Sequence, residues 1–192
     1  MRNTLKLVVA LSVMFVSLTS VANSRPSLIA SEAKSLIFSL DNQLPNTKIE
    51  LSDAQGNNIY NDAIANGTYA KKFNLNSLES GTFFLSVNND LTETVYTINV
   101  TASSVAVVEV VEHNKPVFRT ENGHVYINFM NKEMETVNVR VVDENDRVVF
   151  SEKIKDTLLV EKSFNFEKAH EGNYTVIIED NSDTYYTGYV VK

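Results

Sequence analysis

Apolar and polar residues alternate along most of the chain, and a period of two predicts half-buried β-strands. Thr47-Lys-Ile-Glu-Leu-Ser52 sends Ile49 and Leu51 to one face and Lys48 and Glu50 to the other. Val137-Asn-Val-Arg-Val141 repeats the arrangement. The first strand runs into Asp53-Ala-Gln-Gly56. Asp suits the opening turn position because its carboxylate accepts from the backbone just ahead, and Gly supplies a positive φ near the end. The matching turn, Asp143-Glu-Asn-Asp146, has Asp in place of that Gly. Asp tolerates the left-handed region better than most residues, so the turn is expected to survive with some strain. Outside the first 22 residues no segment sustains a helical period.

These correspondences belong to an internal repeat. Residues 25–101 align with 115–192 at an offset of about 90, with two small gaps. Leu36, Phe38 and Leu40 match Val125, Ile127 and Phe129. Ile49, Leu51 and Asp53 match Val139, Val141 and Asp143, and Ile59-Tyr60 matches Val149-Phe150. Phe73-Asn-Leu75 matches Phe164-Asn-Phe166, and Gly81 matches Gly172. Leu78 and Ala169 are expected to plug a short turn between strands. About seven short strands per copy, with turns at regular spacing, is the pattern of an immunoglobulin-like sandwich. The predicted fold is therefore all-β: two tandem immunoglobulin-like β-sandwich units, 25–101 and 115–192. The connector 102–114 holds Val105-Ala-Val-Val-Glu-Val-Val-Glu112, which is β-branched enough to be a strand. It either closes the first unit or pairs with the second, and a stiff joint follows in both cases.

The first 22 residues read differently. Arg2 and Lys6 precede an apolar run from Leu7 to Val16, and small residues follow, with a favoured cut after Ala22. This is the plan of a signal peptide. The run is short for a membrane span, which needs about 20 apolar residues. The expected location is secreted, periplasmic or at the cell surface, with no membrane insertion once the leader is removed. There is no Cys, so disulfides, thiolate metal sites and Cys nucleophiles are excluded, and core packing alone must hold the fold. The net charge of −7 argues against nucleic acid, whose phosphates require clustered cations.

The repeat resembles the small immunoglobulin-like modules of secreted Bacteroidota proteins. These include the C-terminal sorting domains of the type IX secretion system and related short secreted domains. The residues that carry the likeness are Asp53, Gly56, Phe73, Leu75, Leu78, Gly81 and Phe83 in the first copy. In the second they are Asp143, Phe164, Phe166, Gly172, Tyr174 and the closing Val190-Val-Lys192. Asp146 and Ala169 depart from that pattern, where Gly and Leu are usual. The resemblance implies a non-catalytic, exported β-sandwich protein.

Residues suited to chemistry are few. Glu109-Val-Val-Glu112-His113 looks faintly like an inverted zinc motif, but on a strand 109 and 113 share a face that 112 does not. His113, His124 and His170 fall in separate elements and are expected at the surface. Asp143, Asn145 and Asp146, or Asp180, Asn181 and Asp183, have the oxygens that calcium prefers, but their spacing matches no EF-hand loop and turn chemistry explains them without a metal. Asn66, Asn99 and Asn173 open sequons for N-glycosylation. No cofactor is expected. Binding is easier to derive than catalysis. Tyr185 and Tyr186 are adjacent in a strand, so one of them faces outward, and Phe84 between Phe83 and Leu85 does the same. These three are the candidate binding residues, for an unknown protein or glycan partner. Exposed edge strands also open a route to self-association. The sequence thus points to a non-enzymatic structural, adhesive or binding module. The alternative is a secretion or anchoring module with the C-terminal unit as its signal.

Overall fold

The computed structural model describes residues 26–31, 34–41, 46–65 and 67–192. The leader, its cleavage zone and Asn66 lie outside the described residues. All the regular structure described is β, in fifteen strands.

In the first unit, β1 (Ser27–Ser31), β2 (Ser35–Leu40) and β5 (Tyr69–Asn74) form one sheet in the order β1-β2-β5. The facing sheet holds β3 (Thr47–Asp53), β4 (Asn58–Ile64), β6 (Gly81–Asn88), β7 (Thr92–Val100) and β8 (Val105–Asn114), in the order β4-β3-β6-β7-β8. In the second unit, β9 (Val117–Glu121), β10 (His124–Met130) and β13 (Leu159–Asn165) make the order β9-β10-β13. Its facing sheet is β12 (Val148–Ile154), β11 (Val137–Asp143), β14 (Gly172–Glu179) and β15 (Thr184–Val191), in the order β12-β11-β14-β15. Every pairing is antiparallel. The chain crosses between sheets after its second, fourth and fifth strands in both units. That Greek-key order, three strands plus four with β8 added in the first unit, is immunoglobulin-like.

Alternation becomes burial in both copies. Ile49 and Leu51 are sealed in the first core with Phe38, Leu85 and Ile98. Val139 and Val141 are sealed in the second with Val125, Ile127 and Ile178. Tyr60 meets Phe73 edge-on at 5.3 Å, and Phe150 meets Phe164 in the same way at 5.0 Å. Leu78 and Ala169 are both half-buried against their cores.

The turns repeat in atomic detail. Asp53 Oδ1 accepts from the backbone N–H groups of Gln55 and Asn57, and Asp143 Oδ1 from those of Asn145 and Arg147. Both turns carry a bulge at the same place, after Leu51 and after Val141. Gly56 has a φ of 81° and Asp146 a φ of 58°, so Asp occupies the left-handed position that Gly occupies in the other copy. A side clip also recurs. Asp62 on β4 accepts from the Tyr60 and Tyr69 hydroxyls at 2.8 and 3.0 Å, while Lys71 donates to Tyr60. In the second unit Lys162 on β13 pairs with Glu152 on β12 at 2.8 Å. Each clip ties an edge of one sheet to an edge of the other.

The segment 102–114, for which the sequence allowed two pairings, joins the first unit. β8 runs antiparallel to β7 along its whole length, with a bulge between Thr97 and Ile98. Val105 is buried in the first core and Val107 packs against it. Only Lys115 and Pro116 then separate β8 from β9.

The two cores share no residue, so a cavity in one should leave the other intact. Ile49→Ala is expected to cost the first unit about 2–5 kcal/mol. Calorimetry of that variant should show one transition moved down and a second in place.

Candidate binding surface between the units

The short joint decides what the two units present to each other. The Lys115 N–H donates to the Leu91 carbonyl at 2.8 Å, and its Nζ donates to Asn88 Oδ1 and to the Asn89 carbonyl. The loop between β6 and β7 thereby grips the chain as it leaves the first unit. Pro116 is buried, and Lys132 of the second unit pairs with Glu112 of β8 at 2.6 Å. These contacts leave an open cleft of about 610 Å³ between the outer face of the first unit's larger sheet and one end of the second unit.

The cleft is polar on one side and aromatic on the other. The first unit contributes Lys48, Glu50, Ser86 and Glu93 from its strands and Asn46 and Asp90 from its loops. The second contributes Phe118, Thr184, Tyr185 and Tyr186. Several of the polar groups already hold one another: Asn46 Nδ2 donates to Asp90 at 2.9 Å, and the Ser86 hydroxyl to Glu93 at 2.8 Å. The arrangement offers hydrogen bonds and an aromatic surface, which is equipment for recognition.

Tyr185 and Tyr186 both line this cleft from opposite faces of β15. Tyr185 turns inward and packs against the second core. Burial, and then the carboxylates of Asp180, Asp183 and Glu93, push its hydroxyl up to about 12. Tyr186 is 73% exposed. Phe84 does not join them. It lies on the outward side of β6, half-buried, opposite Thr97 and Ser52, and outside the cleft. Sequence reasoning missed Lys115, Asn88 and Phe118. The only available signal was the start of the second copy at residue 115, which marked a boundary and gave no indication of a grip.

The remaining candidates hold structural positions. Asp143 is filled by two backbone N–H groups and by Arg147 Nε at 2.7 Å. Asp180 Oδ1 accepts from the N–H groups of Ser182 and Asp183. Turn chemistry therefore engages Asp143 and Asp180, the first residue of each candidate calcium set. Glu112 is bound to Lys132. His113 is half-buried on β8 and His170 is exposed in a turn. His124 stacks on Tyr126, with Nδ1 2.7 Å from the Asn122 carbonyl. Among the described residues no three His, Asp or Glu side chains converge as a metal site. Nor is any helix there long and apolar enough to cross a membrane.

Comparison with known proteins adds one specific likeness. Residues 33–104 match the family model described as the secretion system C-terminal sorting domain. The match runs from β2 through β7 of the first unit and leaves β1 and β8 outside, whereas the sequence reading of a sorting role puts the signal on the second unit. It implies an exported protein, secreted or held at the cell surface. A search of curated proteins returned no match. Among solved structures, the chain is similar to the BSP domain of a biofilm-associated protein at 14% identity, covering 87% of this chain and 29% of that one, with a TM-score of 0.29. A β-glucuronidase from an uncultured Clostridium sp. aligns at 9% identity over 82% of this chain and 35% of that one, with a TM-score of 0.28. The FN1–FN3 domains of chicken CNTN1 align at 8% identity over 88% and 67%, with a TM-score of 0.29. The chain therefore spans 29% and 35% of the length of the first two. The immunoglobulin-like assignment comes from strand order and does not depend on these alignments.

The turn carboxylates give the fold an acid limit. A side-chain hydrogen bond from Asn57 chiefly holds Asp53 below its ordinary 3.8, and one from Arg147 does so for Asp143. A depressed folded value stabilises fully above the unfolded value and is lost as pH falls through the folded one. Between about pH 5 and pH 2 the melting temperature of the wild type should fall more steeply than that of a D53N/D143N double variant. Parallel curves would show that these turns do not couple to folding.

Proposed function

We propose that this is an exported, non-catalytic protein whose two sandwiches act together as a structural, adhesive or binding module at the cell surface or outside the cell. The observation that carries this reading is the inter-unit cleft. It draws side chains from both units, so only a chain that stays whole can present it. Its aromatic wall and its polar, charged floor suit a protein or glycan partner. The shifts at Asp53, Asp143, Asp62 and Tyr96 support a non-enzymatic role, because each of these four groups has a structural task. Asp53 and Asp143 bind turns, Asp62 is clipped to two tyrosines, and Tyr96 donates to the Pro26 carbonyl.

A second reading is favoured by the match on residues 33–104. The first unit would then serve secretion or surface attachment, and the chain would be cut or modified near 105–120.

Fractionation of the native host with intact mass spectrometry separates the two. The binding-module reading expects a mature chain beginning near residue 23 and continuing through Lys192, outside the cytoplasm. A chain severed near the joint, or one carrying a large added mass, would replace it with the secretion reading.

A further inference from the structure

A comparison of the two copies exposes a difference in cover. The strand before the end of each repeat, β7 or β15, pairs with its neighbour in equivalent register. Thr94, Tyr96, Ile98 and Val100 oppose Val87, Leu85, Phe83 and Gly81. Tyr185, Thr187, Tyr189 and Val191 oppose Ile178, Val176, Tyr174 and Gly172. All four inward residues of β7 are at most 4% exposed. All four on β15 are only half-buried. The first unit has β8 on that flank, and among the described residues nothing pairs with the outer edge of β15.

Edge strands invite pairing unless they are short, charged, bulged or covered. The four sheets have eight edges. β8 carries Glu109 and Glu112, a bulge and the Lys132 contact. β4 and β12 are bulged and bear Asp62 and Glu152. β5, β9 and β13 carry Lys71 and Lys72, Arg119 and Glu121, and Glu161 and Lys162. β1 is uncharged but only five residues long. β15 has none of these devices. It runs eight residues, Thr-Tyr-Tyr-Thr-Gly-Tyr-Val-Val, without a charge, a proline or a register shift.

We propose that the outer edge of β15 pairs antiparallel with β15 of a second copy, joining two second units into one continuous sheet. The occupant follows from charge and symmetry. A strand without charge meets no like charge when paired with itself about a two-fold axis. A register centred on Gly188 uses the full strand. It sets Tyr186 against Val190 on the outer face, and Tyr185 against Val191 and Thr187 against Tyr189 on the inner face. Each aromatic then faces a β-branched residue, a favourable cross-strand pairing. Gly188 at the axis has open space beside its Cα, so no two side chains crowd each other across the axis on the outer face. Lys192 of the second copy falls opposite Thr184, in the cleft that also holds Glu50 and Glu93. The exposed Tyr186 and Val190, at 73% and 57%, become covered.

The test is sedimentation of the mature chain at concentrations up to about 100 μM, since the assembly obeys mass action. The wild type should form a dimer. Val190→Lys should weaken association about tenfold or more, because an edge lysine is an effective block. Its far-UV circular dichroism and melting temperature should match the monomeric wild type. Val108→Lys on β8 should leave the dimer intact. A wild type that stays monomeric overturns the proposal while leaving the export reading untouched. A dimer indifferent to Val190→Lys and to Tyr186→Lys also overturns it. So does a monomer that captures a synthetic peptide of residues 105–114, which would assign the edge to a foreign strand.

Discussion

A β-strand must hide one apolar face and satisfy the polar groups along two edges, and this chain does so without a disulfide or, among its described residues, a helix. Among the described residues, the inward side chains of two facing sheets are the large source of cohesion in each unit. Burial at Ile49, Leu51, Val139 and Val141 is therefore a condition for the rest of the structure. The turn at Asp53 and the turn at Asp143 matter because they hold those strands in register. A slip of one residue would send Lys48 and Glu50, or Asn138 and Arg140, into the core.

The edges follow from the same constraint. Each sandwich closes one side with a polar clip: the Asp62 cluster in the first unit and the Lys162–Glu152 pair in the second. On the other side the copies differ. β8 completes the first unit and delivers the chain to a two-residue joint held by Lys115. The cleft exists because that joint is short and gripped, and its aromatic wall is the start of β15. Recognition and self-pairing thus draw on one element and share Tyr185 and Tyr186.

Much of this was legible in the chain. Period-two alternation located the strands because each sheet has one wet face. The Asp-x-x-Gly turn was readable because a carboxylate that binds its own backbone has few other uses at that spacing. The repeat sharpened both, and even the substitution at Asp146 kept the positive φ of Gly56. The partner of β8 was not legible. Val105–Val111 has apolar residues on both faces, and its bulge shifts the parity halfway along. The outward placement of Phe84 could be read, but its half-burial on a broad sheet could not. The cleft was invisible because its lining comes from segments as far apart as Asn46 and Tyr186.

The central claim is that two copies of one fold differ in the cover of the strand that ends the repeat. Native-state hydrogen exchange, resolved by residue in dilute solution and again at high concentration, tests it most directly. The account predicts that β7 amides stay protected throughout. The β15 amides that point away from β14 should exchange rapidly when dilute and slow markedly on concentration. Equal, concentration-independent protection of β7 and β15 would contradict it.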